Sequence, residues 1–420
     1  MGFKCSNSRG VAALTEARTD GGAFPNADFL DFVTDGTVIR PLSRSRWAHV
    51  GRWRDKAHEL RCATAVLCFA LAPAAFAQQH LVVRTPTARS VAGVELTRVT
   101  TLRSPGRESA FVLPTAVVRD ERGVLYVLDW MNPSPVWVFD ATGKLLRSIS
   151  RERALEDNTI VRALAIGAPD TLHVLSGGSV IFDAAGRTVR RRDVATDASI
   201  FGFLVFPNGD LVLQAVVATP GGFGYPLHTI GTRGERVSFG AGKSEAFDGH
   251  PTRVMGSLAH AGGNRFWANT IREYRVRLWT TKGELQRVID RQVDWFDPWT
   301  EWDGRIDVAP PPPRLISTWQ DRAGRLITLT AVAARDWAPV TGRNLAREAP
   351  PPTAAEFERA NDSVLEIIDP RDGSLVATQR IRGTMIAIVA DSLVVGLSSG
   401  IGKSTGLDVW KFRLVPPQAR

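Results

Sequence analysis

Cysteine is absent from most of the chain: Cys5, Cys62 and Cys68 are the only three in 420 residues, and all of them precede residue 78. Without thiols, the rest of the chain cannot form a disulfide framework, a thiolate metal site or a cysteine nucleophile. Metal-binding histidine pairs are missing too, because no H-x-H or H-E-x-x-H spacing occurs. The scattered histidines after residue 77 are interpreted as structural; they are His80, His173, His228, His250 and His260.

A concentrated basic run is also missing. The chain carries a formal charge of +9, but its arginines are spread along the whole sequence. Nucleic-acid-binding proteins usually gather such residues on one helix or one face. We therefore predict no nucleic-acid partner. With 44% hydrophobic and 23% charged residues, the composition is that of a globular protein.

The one long apolar run lies near the amino terminus. Residues 63–77 are apolar, follow the basic residues Arg52, Arg54, Lys56 and Arg61, and end in Ala-Phe-Ala77. A basic region, an apolar stretch of this length and an A-x-A end are typical of a secretory signal peptide, whereas fifteen residues are too few to span a bilayer comfortably. A buried helix is the alternative interpretation. We predict a signal peptide over 55–77, a periplasmic or extracellular protein, and no transmembrane anchor in the mature chain.

Residues 1–54 are predicted to be an unstructured or mis-annotated extension, because a signal peptide normally begins the chain. Our hypothesis is that translation starts later, at Val50. Residues 78–93 are predicted to be a linker, and 94–417 a single domain.

A repeated unit organises the sequence after residue 110. Each unit consists of two hairpin-like halves with tight turns, in which Asp or Asn opens the turn and Gly allows a positive φ. Flanking β-branched and aromatic residues alternate as in strands. The turns of the first halves are centred on Gly123, Asp170, Gly209, Gly263, Gly324 and Asp391. Those of the second halves are closed by Gly143, Gly186, Gly234, Gly283 and Gly373.

The spacing of the first-half turns is 47, 39, 54, 61 and 67 residues. About forty residues plus loop insertions is the period of a β-propeller blade. The last unit, however, runs into Pro416 and Pro417 without a fourth strand. We predict an all-β, six-bladed propeller of four-stranded antiparallel blades. A strand over about 94–102 is predicted to pair with the last blade and close the ring, which removes exposed sheet edges.

The pattern D-x-x-G-x-L-Y-V followed by V-x-V-F-D-x-x-G-K over residues 120–144 resembles the NHL-repeat blade. Residues 179–189 and 364–375 resemble its second half more loosely, and the resemblance extends over 94–415. It implies the six-bladed fold of the NHL-repeat and TolB-like group. That group contains scaffolds, sugar- or protein-binding domains, lactonases and lyases, so the resemblance implies a fold and leaves function open.

Large insertions are predicted to share one face of the propeller. Turns within each half lie on one face, and connections between halves and between blades lie on the other. All the long insertions belong to the second set: 215–227, 241–253, 291–313 and 331–362. Because functional residues concentrate on elaborated loops held by a rigid scaffold, we expect the site on this face.

Tryptophan and acids cluster in those insertions, above all over 294–303. One interpretation is a platform for a sugar or peptide, because Trp stacks on apolar faces and carboxylates accept hydroxyl or cationic groups. The alternative is a lid packed by its own Trp side chains. The candidate ligand-binding residues are Asp129, Trp130, Trp295, Asp297, Trp299, Trp302, Asp303 and Trp337. No catalytic residues are assigned.

Asp294, Asp297, Glu301 and Asp303 also offer clustered carboxylates of the kind that hold calcium, although no Asp-x-Asp-x-Asp-Gly loop is present. No cofactor is predicted, with calcium as the open alternative. Another insertion contains Thr353 followed three residues later by Glu356, which predicts a short helix with Thr353 as its N-cap.

Two function classes remain open from sequence. The first is an exported, monomeric binding or scaffold protein whose partner is an unknown ligand or a cell-envelope protein. The second is a propeller hydrolase or lyase, lactonase-like or glycan-directed, with acids or histidines at the channel mouth. The absence of a convergent catalytic constellation favours the first class.

Overall fold

The computed structural model describes residues 79–84, 91–103, 111, 114–129, 136–149, 161–168, 170–176, 178–183, 185–192, 194, 199–216, 218–219, 222–223, 225–240, 253–302, 304–339, 354–398 and 406–416. All of them belong to one compact unit within Leu60–Arg420. The predicted extension over 1–54 and the predicted signal peptide over 55–77 lie outside the described residues, and both stay predictions.

Blade one shows how the sequence specifies a four-stranded antiparallel sheet. Two strands precede it, and four form it: β1 (Gln79–Arg84), β2 (Gly93–Leu102), β3 (Pro114–Arg119), β4 (Leu125–Asp129), β5 (Val136–Phe139) and β6 (Leu145–Ile149). At the first turn, Gly123 has a φ of 91° and donates its N–H to the Asp120 carbonyl over 3.0 Å. The Asp120 carboxylate accepts the Val124 N–H at 2.8 Å. Asp140 and Gly143 repeat this arrangement at the second turn.

Blades two and three continue the pattern. Their strands are β7 (Ala163–Gly167), β8 (Thr171–Ser176), β9 (Gly178–Phe182), β10 (Thr188–Arg192), β11 (Ser199–Val205), β12 (Leu211–Val216), β13 (Ala218–Thr219), β14 (Gly222–Phe223), β15 (Leu227–Ile230) and β16 (Arg236–Phe239). β13 and β14 form a small extra hairpin between the second and third strands of blade three. In blade two, Asp170 has a φ of 51° and takes the left-handed position that Gly occupies elsewhere. Asp tolerates this conformation better than most residues.

Blades four, five and six complete the ring. Their elements are β17 (Leu258–His260), β18 (Arg265–Asn269), β19 (Arg275–Thr280), β20 (Leu285–Gln292), β21 (Arg314–Gln320), β22 (Leu326–Ala333), α1 (Ala354–Ala360), β23 (Asn361–Asp369), β24 (Ser374–Arg382), β25 (Met385–Ala390), β26 (Leu393–Ser398) and β27 (Gly406–Val415). The described residues therefore form the predicted six-bladed β-propeller. The predicted short helix is present as α1, while Thr353 lies outside the described residues.

The ring closes as predicted. β2 pairs antiparallel with β27, from Gly93 opposite Val415 to Leu102 opposite Leu407, and supplies the fourth strand of blade six. The Thr100 hydroxyl then donates to the Thr142 carbonyl of blade one over 2.8 Å. The amino-terminal strand thus joins the last blade to the first.

The segment expected to be a linker, 78–93, contains strand β1. It pairs in parallel with β20 as a fifth, outer strand of blade four. Ala92 then forms a parallel bridge with Ala377 of β24, at the outer edge of blade five. The chain therefore crosses the outer edges of blades four, five and six in succession. No turn or repeat marks β1 in the sequence, because an added edge strand needs only an extended segment and an open neighbour.

Each neighbouring pair of blades encloses an apolar cluster. Between blades one and two, Leu128 and Val138 pack against Leu172 and Phe182, all 1% exposed or less. Between blades six and one, Trp137 and Phe139 pack with Val395 and Val409. The other four junctions between blades contain equivalent clusters. Burial of each such side chain stabilises the fold by roughly 1.5–3 kcal/mol, so the core is distributed around the ring.

The junction of blades four and five also contains a buried ion pair. Arg291 on β20 donates from Nε and Nη2 to the two oxygens of Glu366 on β23, both at 2.9 Å. The two side chains are 1% and 2% exposed. The Tyr274 hydroxyl donates to Glu366 over 2.8 Å, and Arg291 Nη1 donates to the carbonyl of Val83 on β1 over 3.3 Å. This group joins both blades and the amino-terminal strand.

Candidate functional site on the loop-rich face

The two faces of the propeller differ in their connections. One face consists of the turns that close each half-blade. The other, called here the loop-rich face, consists of the connections between second and third strands and between blades; it includes the described residues 293–302, 304–313, 334–339 and 354–360. Strand order places the described parts of the insertions over 215–227, 291–313 and 331–362 on the loop-rich face. Almost all of the insertion over 241–253 lies outside the described residues.

The connection from blade four to blade five is anchored by Trp295. Its ring centroid lies 5.8 Å from that of Tyr274 and 6.1 Å from that of Phe296. Phe296 is 5% exposed and belongs to the apolar cluster between the two blades. Trp295 is itself partly buried against that cluster. Trp295 therefore fixes the start of the connection through packing.

Trp299 holds the middle of the same connection. Its Nε1 donates to the Pro313 carbonyl over 2.7 Å, and its own carbonyl accepts from Arg272 Nε at 2.8 Å. The guanidinium of Arg272 also lies 5.5 Å from the centroid of the Trp299 ring, within cation–π range. These contacts tie the middle of the connection to its end at Pro313 and to Arg272 in the segment that follows β18.

Trp302 lies where the connection meets helix α1. It packs against Ile306 and Ala360, which are both fully buried. Its ring centroid is 5.1 Å from the guanidinium carbon of Arg314, the first residue of β21. Arg314 Nη2 donates to the side-chain oxygen of Asn361 over 2.6 Å. Trp302, Arg314 and Asn361 thus form a cluster at the loop-rich end of blade five.

Arg314 has an unusual environment for a cation. Burial lowers the pKa of its guanidinium to about 10, so the group still carries its charge near neutral pH. Its Nε atom is buried and has no hydrogen-bond partner in the described part of the chain. Sequence reasoning did not single out this residue, because one arginine at the start of a strand has no distinguishing pattern.

The remaining candidate residues are dispersed. Asp129 is fully buried at the end of β4 in blade one, which blade six separates from blade five. Asp297 is exposed on the connection, and Trp337 is partly buried in the insertion of blade five. Trp130 and Asp303 lie outside the described residues. Trp295, Trp299 and Trp302 thus lie on one connection but contact different partners, and Asp129 lies in another blade.

The calcium hypothesis stays untested. Asp294, Asp297 and Glu301 are exposed, and Asp303 is not described. Within the described ranges, no three or more His, Cys, Asp and Glu side chains come together in a way suited to a metal ion.

Buried histidines occur in the strands of blades two and three. Burial, followed by the charge of Arg192, lowers the pKa of His173 to about 4. Burial, followed by the charge of Arg236, lowers the pKa of His228 to about 4 as well. His173 lies near the hydroxyls of Thr171 and Ser179. Both rings are neutral at pH 7, which agrees with their interpretation as structural residues.

Residues 396–400 read Gly-Leu-Ser-Ser-Gly, which matches the G-x-S-x-G pattern of a serine nucleophile. Such a serine normally sits on a sharp turn between a strand and a helix. Ser398 instead ends β26 and pairs with Gly406 of β27 in the same sheet. The pattern therefore lacks its structural context.

No family model and no curated protein matches the chain. Several solved structures, however, are similar to this chain. A candidate exported protein of Bacteroides fragilis superposes with a TM-score of 0.51 at 10% identity, over 80% of this chain and 99% of its own. A DUF4221 family member from Bacteroides vulgatus gives 0.49 at 11% identity, over 77% and 99%. A streptogramin B lyase gives 0.42 at 11% identity, over 77% and 98%.

At 10% identity, the likeness to the Bacteroides fragilis protein concerns the fold alone. It agrees with the six blades described above. In the described part of the chain, no helix has both the length and the apolar character needed to cross a membrane.

Proposed function

We propose that the chain is an exported propeller of the NHL-repeat and TolB-like group that binds a ligand or a cell-envelope protein through its loop-rich face. Export is supported by the basic and apolar residues that end at Ala77. Group membership is supported by the turn pattern of residues 120–144, whose Asp120 and Asp140 accept backbone hydrogen bonds within their turns.

The observation that carries the proposal is the asymmetry of the two faces. On the turn face, polar groups are satisfied locally, as at Asp183, which accepts from the Ala185 and Arg187 N–H groups at 2.9 and 2.8 Å. On the loop-rich face, three tryptophans and the cationic Arg314 are held on a connection that packs on blades four and five. Rigidly held aromatic and arginine side chains are those that dominate binding interfaces.

The structure refines which tryptophans test this proposal. Trp295 and Trp302 are both partly buried, but Trp295 packs against the large apolar cluster between blades four and five, whereas Trp302 packs on a small satellite cluster. Replacement of Trp295 would disturb the large cluster and would not report on binding alone. Trp302 is therefore the informative position.

The experiment is a binding screen of the purified full chain against glycan and peptide arrays. We expect Trp302→Ala to weaken capture of any ligand found by at least roughly tenfold, the scale of a residue that dominates an interface. Arg322→Gln is the control, because Arg322 is 95% exposed on the turn face of the same blade. Capture that is equal in Trp302→Ala, Arg322→Gln and the unmodified chain would contradict the proposal. Turnover of an arrayed lactone or glycan would instead favour a hydrolase or lyase.

A further inference from the structure

We propose that Arg314, together with Asn361 and Trp302, forms a binding site for a carboxylate group carried by the ligand. This inference rests on the proposed function of the loop-rich face and names the chemical group that the face recognises.

The first observation is the number of free donors on Arg314. A guanidinium has five N–H groups. In the described residues, one hydrogen bond is formed, from Nη2 to Asn361 Oδ1 at 2.6 Å. Asn361 is fully buried, and its Nδ2 donates to the Phe357 carbonyl of α1 over 3.3 Å. Asn361 therefore positions the guanidinium. The Nε atom of Arg314 is buried and out of reach of a ligand, so Nη1 is the donor that remains for one.

The second observation is the charge. Burying a cation is costly unless an anion and hydrogen bonds compensate it. Other arginines held inside blades four and five have such an anion: Arg291 pairs with Glu366, and Arg380 Nε lies 2.7 Å from Asp362. For Arg314, no carboxylate lies within ion-pair distance among the described residues. A ligand carboxylate would supply the missing charge.

The third observation is the shape of the cluster. The guanidinium carbon of Arg314 lies over the Trp302 ring, 5.1 Å from its centroid, so Trp302 occupies one side of the guanidinium. A carboxylate can accept a charge-assisted hydrogen bond from the N–H groups of Nη1. Trp302 also offers an apolar surface beside the charged group, which suits an acid carried on a sugar ring or a short peptide.

The test is thermal unfolding of the purified full chain with paired probes at constant ionic strength. Sodium glucuronate is compared with glucose, and N-acetylalanine with its amide, so that acidic sugars and peptide termini are separated. We expect at least one acid to raise the Tm while its neutral partner does not. Arg314→Gln should abolish the shift, Arg314→Lys should weaken binding of that acid at least roughly tenfold because an ammonium lacks the planar guanidinium that Asn361 and Trp302 position, and Arg322→Gln should leave both unchanged. Equal shifts from acid and neutral probes would overturn the inference.

A second measurement separates a binding arginine from a structural one. Without ligand, Arg314→Gln should leave the Tm unchanged or raise it, because it removes a partly buried charge that has no carboxylate partner among the described residues. A lower Tm that is reproduced by Asp303→Asn or Glu348→Gln would show that the chain's own carboxylate pairs with Arg314, and would overturn the inference.

The two proposals fail in different ways. If the array identifies a ligand that depends on Trp302 but no carboxylate probe depends on Arg314, the carboxylate site is wrong and binding on the loop-rich face stands. If Trp302→Ala changes no captured ligand, the proposed function itself is wrong.

Discussion

The junction between blades four and five differs from the junction between blades one and two. In the first, Arg291 and Glu366 form a buried, doubly hydrogen-bonded ion pair that also reaches Tyr274 and β1. In the second, the buried cluster is apolar apart from the Tyr126 hydroxyl, which donates to the Asp120 carboxylate of the same blade over 3.3 Å. The charged contact of this second junction is on the rim of the turn face, where the Asp170 carboxylate lies 3.3 Å from Arg122 Nε and accepts the Glu121 N–H at 3.2 Å.

The two kinds of contact, apolar packing and a buried ion pair, have different roles in a propeller. Apolar burial is non-directional, so any two blades of matching shape can pack through it. A buried ion pair is satisfied only when its hydrogen-bonding partners take one arrangement. The junction of blades four and five is also where β1 joins the ring and where the candidate site lies. Its polar group therefore fixes the position of the blades that carry the site.

The largest expected effect comes from breaking this ion pair. Arg291→Met leaves the carboxylate of Glu366 buried without its cation, which should cost about 3–5 kcal/mol of unfolding free energy. Urea unfolding measures it. The double variant Arg291→Met with Glu366→Leu should recover most of that loss, because an apolar pair can replace a buried ion pair. A single variant that costs less than the double variant would contradict this assignment.

The matched change at the other junction is Leu172→Ala, on a side chain that is 1% exposed between blades one and two. It should cost about 2–5 kcal/mol through lost burial and a cavity. Its effect should add to that of Arg291→Met, since the two positions share no partner. Strong non-additivity would mean that the two junctions are not independent.

The next largest effect is expected from lowering the pH, which should destabilise blades two and three through their buried histidines. His173 and His228 have pKa values of about 4 in the folded state, below the ordinary 6.5. The unfolded state therefore binds more protons between pH 6.5 and 4, so stability falls as the pH is lowered through this window and levels off below it. The loss is at most roughly 3 kcal/mol per histidine.

Hydrogen exchange should show blades two and three opening before blade five as the pH falls. Joint replacement of His173 and His228 by Gln should flatten the dependence of the urea midpoint on pH in that window, compared with the unmodified chain. An unchanged slope would show that neither ring is buried in its neutral form.

The smallest effect concerns the rim contact of blades one and two. Asp170→Ala removes a carboxylate that bridges two turns and leaves Ala at a φ of 51°, so it should cost about 1–2 kcal/mol. Asp170→Asn should cost less, because Asn tolerates this conformation. Asp391 makes the same contact to the Arg322 N–H, at 3.3 Å, between blades six and five, and Asp391→Ala provides the comparison. Equal losses from the Ala and Asn variants at position 170 would argue against a contribution from backbone strain.

The turn residues allowed much of the fold to be predicted. Gly123, Gly143, Gly209 and Gly324 all have positive φ values, as their places in the repeat required. The closing strand also followed from the sequence, because a blade that lacks a fourth strand needs one from elsewhere. β1 could not be found in this way, since blade four is already complete without it.

The candidate site was predicted less fully. The connection that carries Trp295, Trp299 and Trp302 was visible as a run of aromatic and acidic residues. Two polar groups were not visible in the sequence: the cluster of Arg314 with Asn361, and the ion pair of Arg291 with Glu366. Each of them combines residues from strands that lie far apart in the sequence.

The sequence alone thus determined the six blades, their turns and the strand that closes the ring, because each of these depends on local conformational preferences repeated at a regular spacing. Only the tertiary structure decided that Trp295 packs against the core of blades four and five, that β1 extends blade four, and that Arg314 lies beside Trp302 with Asn361 as its one hydrogen-bond partner among the described residues. Burial and charge pairing are properties of side chains that meet across blades, and no local pattern encodes which of them will meet.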